Sequence, residues 1–180
     1  MNHCSHCGET VTRGIPPGDD RERFICPSCG AIHYQNPRMV VGCIPMWEDR
    51  LLLCRRAIEP RHGLWTLPAG FLEKGESVEE GARRELMEEA LASALELRPY
   101  GLYNIRHVSQ VYLMFITELA SDEFGAGEET LEADLFEEAA IPWDDLAFQV
   151  VEMALKRYYR AARRGTFPFH IDDVTRRISG

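Results

Sequence analysis

Gly70-Phe71-Leu72-Glu73-Lys74-Gly75-Glu76-Ser77-Val78-Glu79-Glu80-Gly81-Ala82-Arg83-Arg84-Glu85-Leu86-Met87-Glu88-Glu89 is the stretch on which the reading of this chain turns. Ser77 followed by Glu80 is a capping-box pattern, in which each side chain bonds the other residue's backbone N–H, so a helix starts beside it. Val78, Ala82, Leu86 and Ala90 recur at helical spacing and predict the face turned to the core. At about 100° per residue, Glu88 falls about 60° to one side of Glu85, Glu89 about 40° to the other, and Gly81 about 40° away. Three carboxylates therefore crowd one face. Like charges one turn apart destabilise a helix. A divalent cation removes that cost, because hard oxygen donors suit Mg²⁺ or Mn²⁺; a solvated acidic surface is the alternative. Gly81 is expected to leave room for a bulky metal–phosphate group beside the backbone.

The flanks read as strands. Met39–Trp47 and Leu51–Ile58, joined by Glu48-Asp49-Arg50, predict a hairpin, and Trp65–Phe71 a short strand before the helix. Leu95–Leu119 reads as further strands broken near His107–Ser109. Residues 121–130 are a Gly/Glu-rich loop, and Leu131–Phe136 is another strand. Phe148, Val151, Leu155, Tyr158 and Ala162 predict a last helix with a basic C-terminal end, as the helix dipole favours. The tail from Thr166 is ambiguous.

Upstream, Cys4, Cys7, Cys26 and Cys29 read C-x2-C-x18-C-x2-C, each pair followed by glycine. The N-terminus has no basic stretch and no apolar segment of a signal peptide. A reducing, cytoplasmic compartment is therefore expected, and disulfides are disfavoured there. Two close thiol pairs then predict one structural Zn²⁺ with four Cys ligands, a redox pair being the alternative. The ribbon, 1–36, precedes a main domain, 37–180. Cys43 and Cys54 lie in apolar stretches and read as buried core residues.

Composition narrows the function. The 180 residues carry 20 Lys+Arg against 29 Asp+Glu, a net charge of −9. That argues against charge-driven nucleic-acid binding, and the ribbon has only Arg13, Arg21 and Arg23 against Glu9, Asp19, Asp20 and Glu22. No apolar run reaches the ~18 residues that span a bilayer, so no membrane association is expected.

Gly70, Glu76, Arg84, Glu85, Leu86, Glu88 and Glu89 match the Nudix box, G-x5-E-x7-R-E-U-x-E-E-x-G-U, where U is bulky and apolar. Leu91 and Ala92 replace its final Gly and apolar residue, which bears on the turn after the helix and not on the acidic set. The ribbon, Ile32–Pro37, Cys54–Pro60 and Trp65–Phe71 resemble the zinc-ribbon Nudix subgroup that includes plant-type FAD and ADP-ribose pyrophosphatases. The resemblance runs from about Cys4 to Phe148. It implies an α/β Nudix fold, an α/β/α sandwich with a mixed sheet, behind a small zinc ribbon.

The resemblance also implies an activity, hydrolysis of FAD to FMN and AMP or of ADP-ribose to AMP and ribose 5-phosphate. NADH pyrophosphatases share the ribbon but add a Ser-Gln-Pro-type motif. Arg106–Tyr112 lacks that form, so FAD or ADP-ribose is favoured over NADH. A non-catalytic, nucleotide-binding Nudix-like domain is the other reading, though it has no need of the full acidic set. By resemblance Glu85, Glu88 and Glu89 hold Mg²⁺ or Mn²⁺, Glu76 joins through water, and Arg84 orients the carboxylates. Glu132 is an additional acidic ligand, with Glu128 and Glu129 as loop candidates for the same role or for the base. Substrate contacts are expected from Gly70, Arg55, Phe71, Tyr34 and Tyr112, with Arg56 and Arg61 as further phosphate candidates and Trp65 and Tyr103 as further ring partners. A homodimer is expected, as in relatives.

Overall fold

The structure is a computed structural model that describes residues 1–175, so the last five residues of the expected main domain lie outside the described residues. The chain divides into two compact units, Met1–Pro37 and Arg38–Gly180. The first holds a three-stranded antiparallel sheet of β1 (Thr12–Gly14), β2 (Arg23–Ile25) and β3 (Ile32–His33), ordered β1-β2-β3.

The second unit is built on a mixed sheet. Its strands are β4 (Arg38–Trp47), β5 (Arg50–Arg56), β6 (Trp65–Thr66), β7 (Ala69–Phe71), β8 (Arg98–Ile105), β9 (Gln110–Glu118), β10 (Thr130–Phe136) and β11 (His170–Asp173). The main path runs β10-β5-β4-β9-β8-β11, with β6 beside β5 and β7 beside β4. Two helices, α1 (Val78–Ala90) and α2 (Gln149–Ala162), cover it. Ala82, Leu86 and Ala90 of α1 are fully buried against Val41, Cys43, Leu52, Cys54 and Phe115. Val151, Ala154 and Leu155 of α2 pack against Ile44, Leu53, Met114 and Ile116. Alternate residues of β4 feed the two cores, Val41 and Cys43 one and Ile44 and Met46 the other, as the two-residue repeat of a strand requires. The result is the expected α/β/α sandwich, and both isolated cysteines are buried core residues.

Three elements differ from the sequence reading. The β4–β5 hairpin pairs only at Met46–Leu51 and Trp47–Arg50, then opens. The expected strand Trp65–Phe71 fills the opening as two pieces, because Pro68 has no N–H for a ladder and its carbonyl accepts from Cys43 N instead (3.2 Å). The ambiguous tail supplies β11, which runs parallel to β8 and is latched by a hydrogen bond between His170 and the Tyr103 hydroxyl (2.8 Å). No helix among the described residues is long and apolar enough to cross a membrane.

Candidate active site

In the first unit the four thiols converge. Cys4, Cys7, Cys26 and Cys29 place their sulfur atoms within 4.8 Å of one another, with Cys4–Cys29 at 3.7 Å and Cys7–Cys26 at 3.5 Å. A tetrahedron of thiolates at about 2.3 Å from Zn²⁺ has S–S edges of about 3.8 Å, so the donor set fits that ion. Gly8 and Gly30 take positive φ, 80° and 74°, as knuckle turns require. His6 N and Cys29 N point at the Cys4 and Cys26 sulfurs, and the backbone N–H of Cys29 draws the Cys26 thiol down to about 7. His33 contacts the Cys4 sulfur from outside at 3.3 Å.

In the second unit the acidic set lies on α1. Ser77 accepts from Glu80 N and Glu80 accepts from Ser77 N, so both halves of the capping box form. Arg84 reaches three carboxylates: Glu76 (2.7 and 3.0 Å), Glu85 (2.7 Å) and Glu88 (2.9 Å). It also donates to Phe71 O. Part of the like-charge cost on this face is therefore met by Arg84 itself. The Arg84 guanidinium and the Glu73 N–H hold the Glu76 carboxyl down to about 2. Neither Arg84 nor Glu76 lines the cleft described below.

Glu85 and Glu89 are buried, at 8% exposure each. The Glu85 carboxylate lies against Gly70, where any β-carbon would collide with it. Glu89 accepts from Ala69 N at 3.0 Å. Burial pushes the Glu89 carboxyl up to about 8, with neighbouring Glu85 and Glu129 adding to the rise. Burial also raises Glu85, against the pull of Arg84. Among the described residues, Glu76, Glu85 and Glu88 stand around Arg84, while the acidic set does not close on itself as the thiols do. Their chemistry nonetheless suits a hard divalent cation, since two buried acids one helical turn apart need positive charge nearby to ionise together.

The expectation for Gly81 is overturned. It is buried, and a β-carbon there would meet Val41 Cγ2 at 2.8 Å, Glu76 Oε1 at 2.9 Å and Leu72 Cδ1 at 3.0 Å. The glycine lets α1 approach β4 and opens no space for phosphate.

The turn that ends α1 forms without the glycine of the box. Leu91 itself takes the left-handed conformation, φ 49° and ψ 29°. The last carbonyls of the helix are met by the glycine loop: Gly125 N donates to Ala90 O (2.8 Å) and Gly127 N to Glu89 O (3.1 Å). This seat carries Glu128 and Glu129 to the cleft wall.

The cleft has a volume of about 1430 Å³ and is lined by Glu85, Glu88 and Glu89 together with Gly70, Phe71 and Tyr112. Other expected residues are elsewhere. Glu132 pairs with Arg55 at 3.5 Å, and neither lines the cleft. Arg55 and Arg56 alternate on β5, and it is Arg56 that faces the cleft, with Arg61. Tyr103 is fully buried, and Trp65 packs edge-on against Phe136. Tyr34 lies in the first unit under Arg23. The sequence reading missed Arg38, which stacks on Phe71 at 4.5 Å. It also missed Phe148, whose ring lies under Arg56 at 5.2 Å. Phe148, the first residue of the spacing that predicts the last helix, is the N-cap of that helix; it packs against the core and also lines the cleft.

Comparison with known proteins agrees with this architecture. The NUDIX domain profile matches residues 36–161, and the Nudix N-terminal zinc-ribbon profile matches residues 2–35. A crystal structure of a NUDIX hydrolase from Nitrosomonas europaea superposes with a TM-score of 0.93 at 48% identity, covering 98% of this chain and 100% of that one. An ADP-ribose pyrophosphatase of Methanocaldococcus jannaschii is 32% identical over 71% of this chain and 76% of its own length. An NAD-capped RNA hydrolase of Pseudomonas aeruginosa is 34% identical over 78% of this chain and 50% of its own. The chain thus spans about half the length of the NAD-capped RNA hydrolases it matches. The chain belongs to the Nudix hydrolase family, in the form that carries an N-terminal zinc ribbon.

Proposed function

We propose that this protein is a metal-dependent pyrophosphatase that hydrolyses the diphosphate of a nucleotide derivative, with FAD, ADP-ribose and NADH as the candidate substrates. The observation that carries the reading is the buried Glu85–Glu89 pair, set on the wall of a cleft large enough for a dinucleotide. Glu85, Glu88 and Glu89 would hold Mg²⁺ or Mn²⁺, with Glu129 in the further acidic role first given to Glu132. Such an ion, when bound, neutralises phosphoryl oxygens and lowers the pKa of water. The chain's own residues do the rest. Glu76 anchors Arg84, and Arg84 orients Glu85 and Glu88. Arg38 and Arg56 bring positive charge to the diphosphate, and Phe71 and Tyr112 offer flat faces to a ring. A carboxylate freed from Arg84, or Glu129, accepts the proton of the attacking water. Water oxygen bonds to one phosphorus, the P–O–P bridge breaks, and AMP leaves with the second phosphate ester. The four-cysteine ribbon holds structural Zn²⁺, and the protein acts as a homodimer in the cytoplasm.

The NADH reading rises to equal standing beside the relatives named NAD-capped RNA hydrolases. For the same reason the exclusion of nucleic acid, which rested on charge, gives way to a direct test. Purified protein with Mg²⁺ or Mn²⁺ is offered FAD, ADP-ribose, NADH and an NAD-capped oligonucleotide, and AMP or decapped product is measured. Cleavage of none removes the enzymatic reading in favour of a binding domain. Glu88 is exposed, so Glu88→Gln should fold normally and lose turnover. Full activity in that variant removes the metal assignment. Light scattering in solution checks the dimer.

A further inference from the structure

The opened hairpin gives the cleft two lips. Beyond the Met46–Leu51 and Trp47–Arg50 pairs, β7 takes up Val40–Gly42 of β4, and β6 takes up Cys54–Arg55 of β5. The free end of β4 carries Arg38 and the free end of β5 carries Arg56. With two short strands between them, those ends stand about three strand spacings apart, roughly 14 Å at about 4.8 Å each. Each lip carries the same device, a guanidinium stacked on an aromatic ring. On one it is Arg38 over Phe71, on the other Arg56 over Phe148. Between the lips lie the two buried carboxylates, Glu85 against Gly70 and Glu89 on the Ala69 N–H.

The second lip is built firmly. Arg56 Nε donates to Pro60 O at 2.9 Å, and among the described residues its terminal nitrogens donate to no protein acceptor. Ala147 N donates to Trp65 O at 2.8 Å, which fixes the chain next to Phe148 against β6. Phe148 is half-buried, with one side packed on the core and the rest facing the cleft. A partly buried phenylalanine beside a helix start needs no function by itself. What packing leaves unexplained is a guanidinium held over that ring on the cleft wall with its terminal nitrogens unused, in a cleft that carries a second such pair.

Resting on the pyrophosphatase reading, we propose that Phe148 with Arg56 is the platform for the second ring of the substrate. The cleft then selects dinucleotides with a flat ring at both ends of the diphosphate over ADP-ribose, which has a ring at one end only. Phe71 serves one ring, Phe148 the other, and the diphosphate spans the carboxylates. Stacking on an aromatic side chain is strong enough to decide between such substrates.

The test compares kcat/KM for FAD, NADH and ADP-ribose in wild type, Phe148→Leu and Phe148→Tyr. Leucine keeps the apolar volume and removes the flat face; tyrosine keeps both. The ratio of the better dinucleotide to ADP-ribose should fall roughly tenfold or more in Phe148→Leu and hold within about threefold in Phe148→Tyr. An unchanged ratio in a folded Phe148→Leu protein overturns the platform while leaving the pyrophosphatase reading intact. Wild type that cleaves none of the three overturns both. A measurement on wild type alone guards against misfolding of the variant. FMN or NMN, matching the faster substrate, should inhibit ADP-ribose hydrolysis at least tenfold more strongly than ribose 5-phosphate, and equal inhibition overturns the proposal.

Discussion

Two glycines two residues apart should respond unequally to the same substitution. A β-carbon on Gly127 would be driven into the Glu88 carbonyl oxygen. Because that oxygen belongs to the helix backbone, the loop has to retreat. Retreat breaks the bonds from Gly127 N to Glu89 O and from Gly125 N to Ala90 O. At about 0.5–1.5 kcal/mol net for each bond, Gly127→Ala costs about 2 kcal/mol. In a chain of this size that lowers Tm by about 4–8 °C. A β-carbon on Gly125 would instead meet only Leu91 Cδ1 at 3.5 Å, an ordinary contact. Gly125→Ala should stay within about 0.5 kcal/mol of wild type. Thermal denaturation of the three proteins followed by circular dichroism reads the difference. AMP release at saturating Mn²⁺ reads whether Glu129 has moved, and should fall only in Gly127→Ala. Equal melting of the two variants would show that the glycine loop does not cap α1.

Other consequences are direct. Ser77→Ala removes one half of the capping box and should cost about 1 kcal/mol in a chemical denaturation curve, with activity retained on the folded fraction. The folded Glu89 carboxyl titrates near 8, above the ordinary value of 4.5. The native state thus holds the extra proton between those values, and the stability from that proton is complete below pH 4.5 and lost as pH rises through 8. Glu89→Gln escapes this loss, so in EDTA at pH 9 it should exceed wild type by on the order of 5 kcal/mol while being inactive with metal. A variant less stable than wild type there would refute the burial account. One zinc per chain should be found by elemental analysis, and a metal-free native protein would remove the ribbon assignment.

Much of the fold was legible because its signals are local. The capping box and the spacing of Ala82, Leu86 and Ala90 placed α1, since cap geometry and helical period involve only residues within two turns. The cysteine spacing placed the thiol cluster because each C-x2-C pair is a local knuckle and four thiols complete one tetrahedral shell. The end of α1 was half legible: Leu91 flagged an odd turn, but the partners of the last carbonyls come from Gly125 and Gly127, more than thirty residues on. Pattern also misled where two explanations share one spacing. Gly81 lies on the acidic face by angle, yet it faces Val41 across a close packing contact that angle cannot reveal. Arg55 and Arg56 could not be separated until a sheet gave β5 an inside and an outside.

By itself the sequence determined the local chemistry: four thiols in two knuckles, a capped helix, and three carboxylates within one turn. On the proposed reading, a net charge of −9 is compatible with a phosphate substrate because part of the acid is gathered where a cation would bind. Tertiary structure alone decided which distant groups join that helix. It paired Glu132 with Arg55 away from the cleft, seated Glu129 of the glycine loop on the cleft wall, and set Phe148 between the core and that same cleft. Those choices depend on strand register and loop seating, which long-range packing sets and which no spacing along the chain encodes.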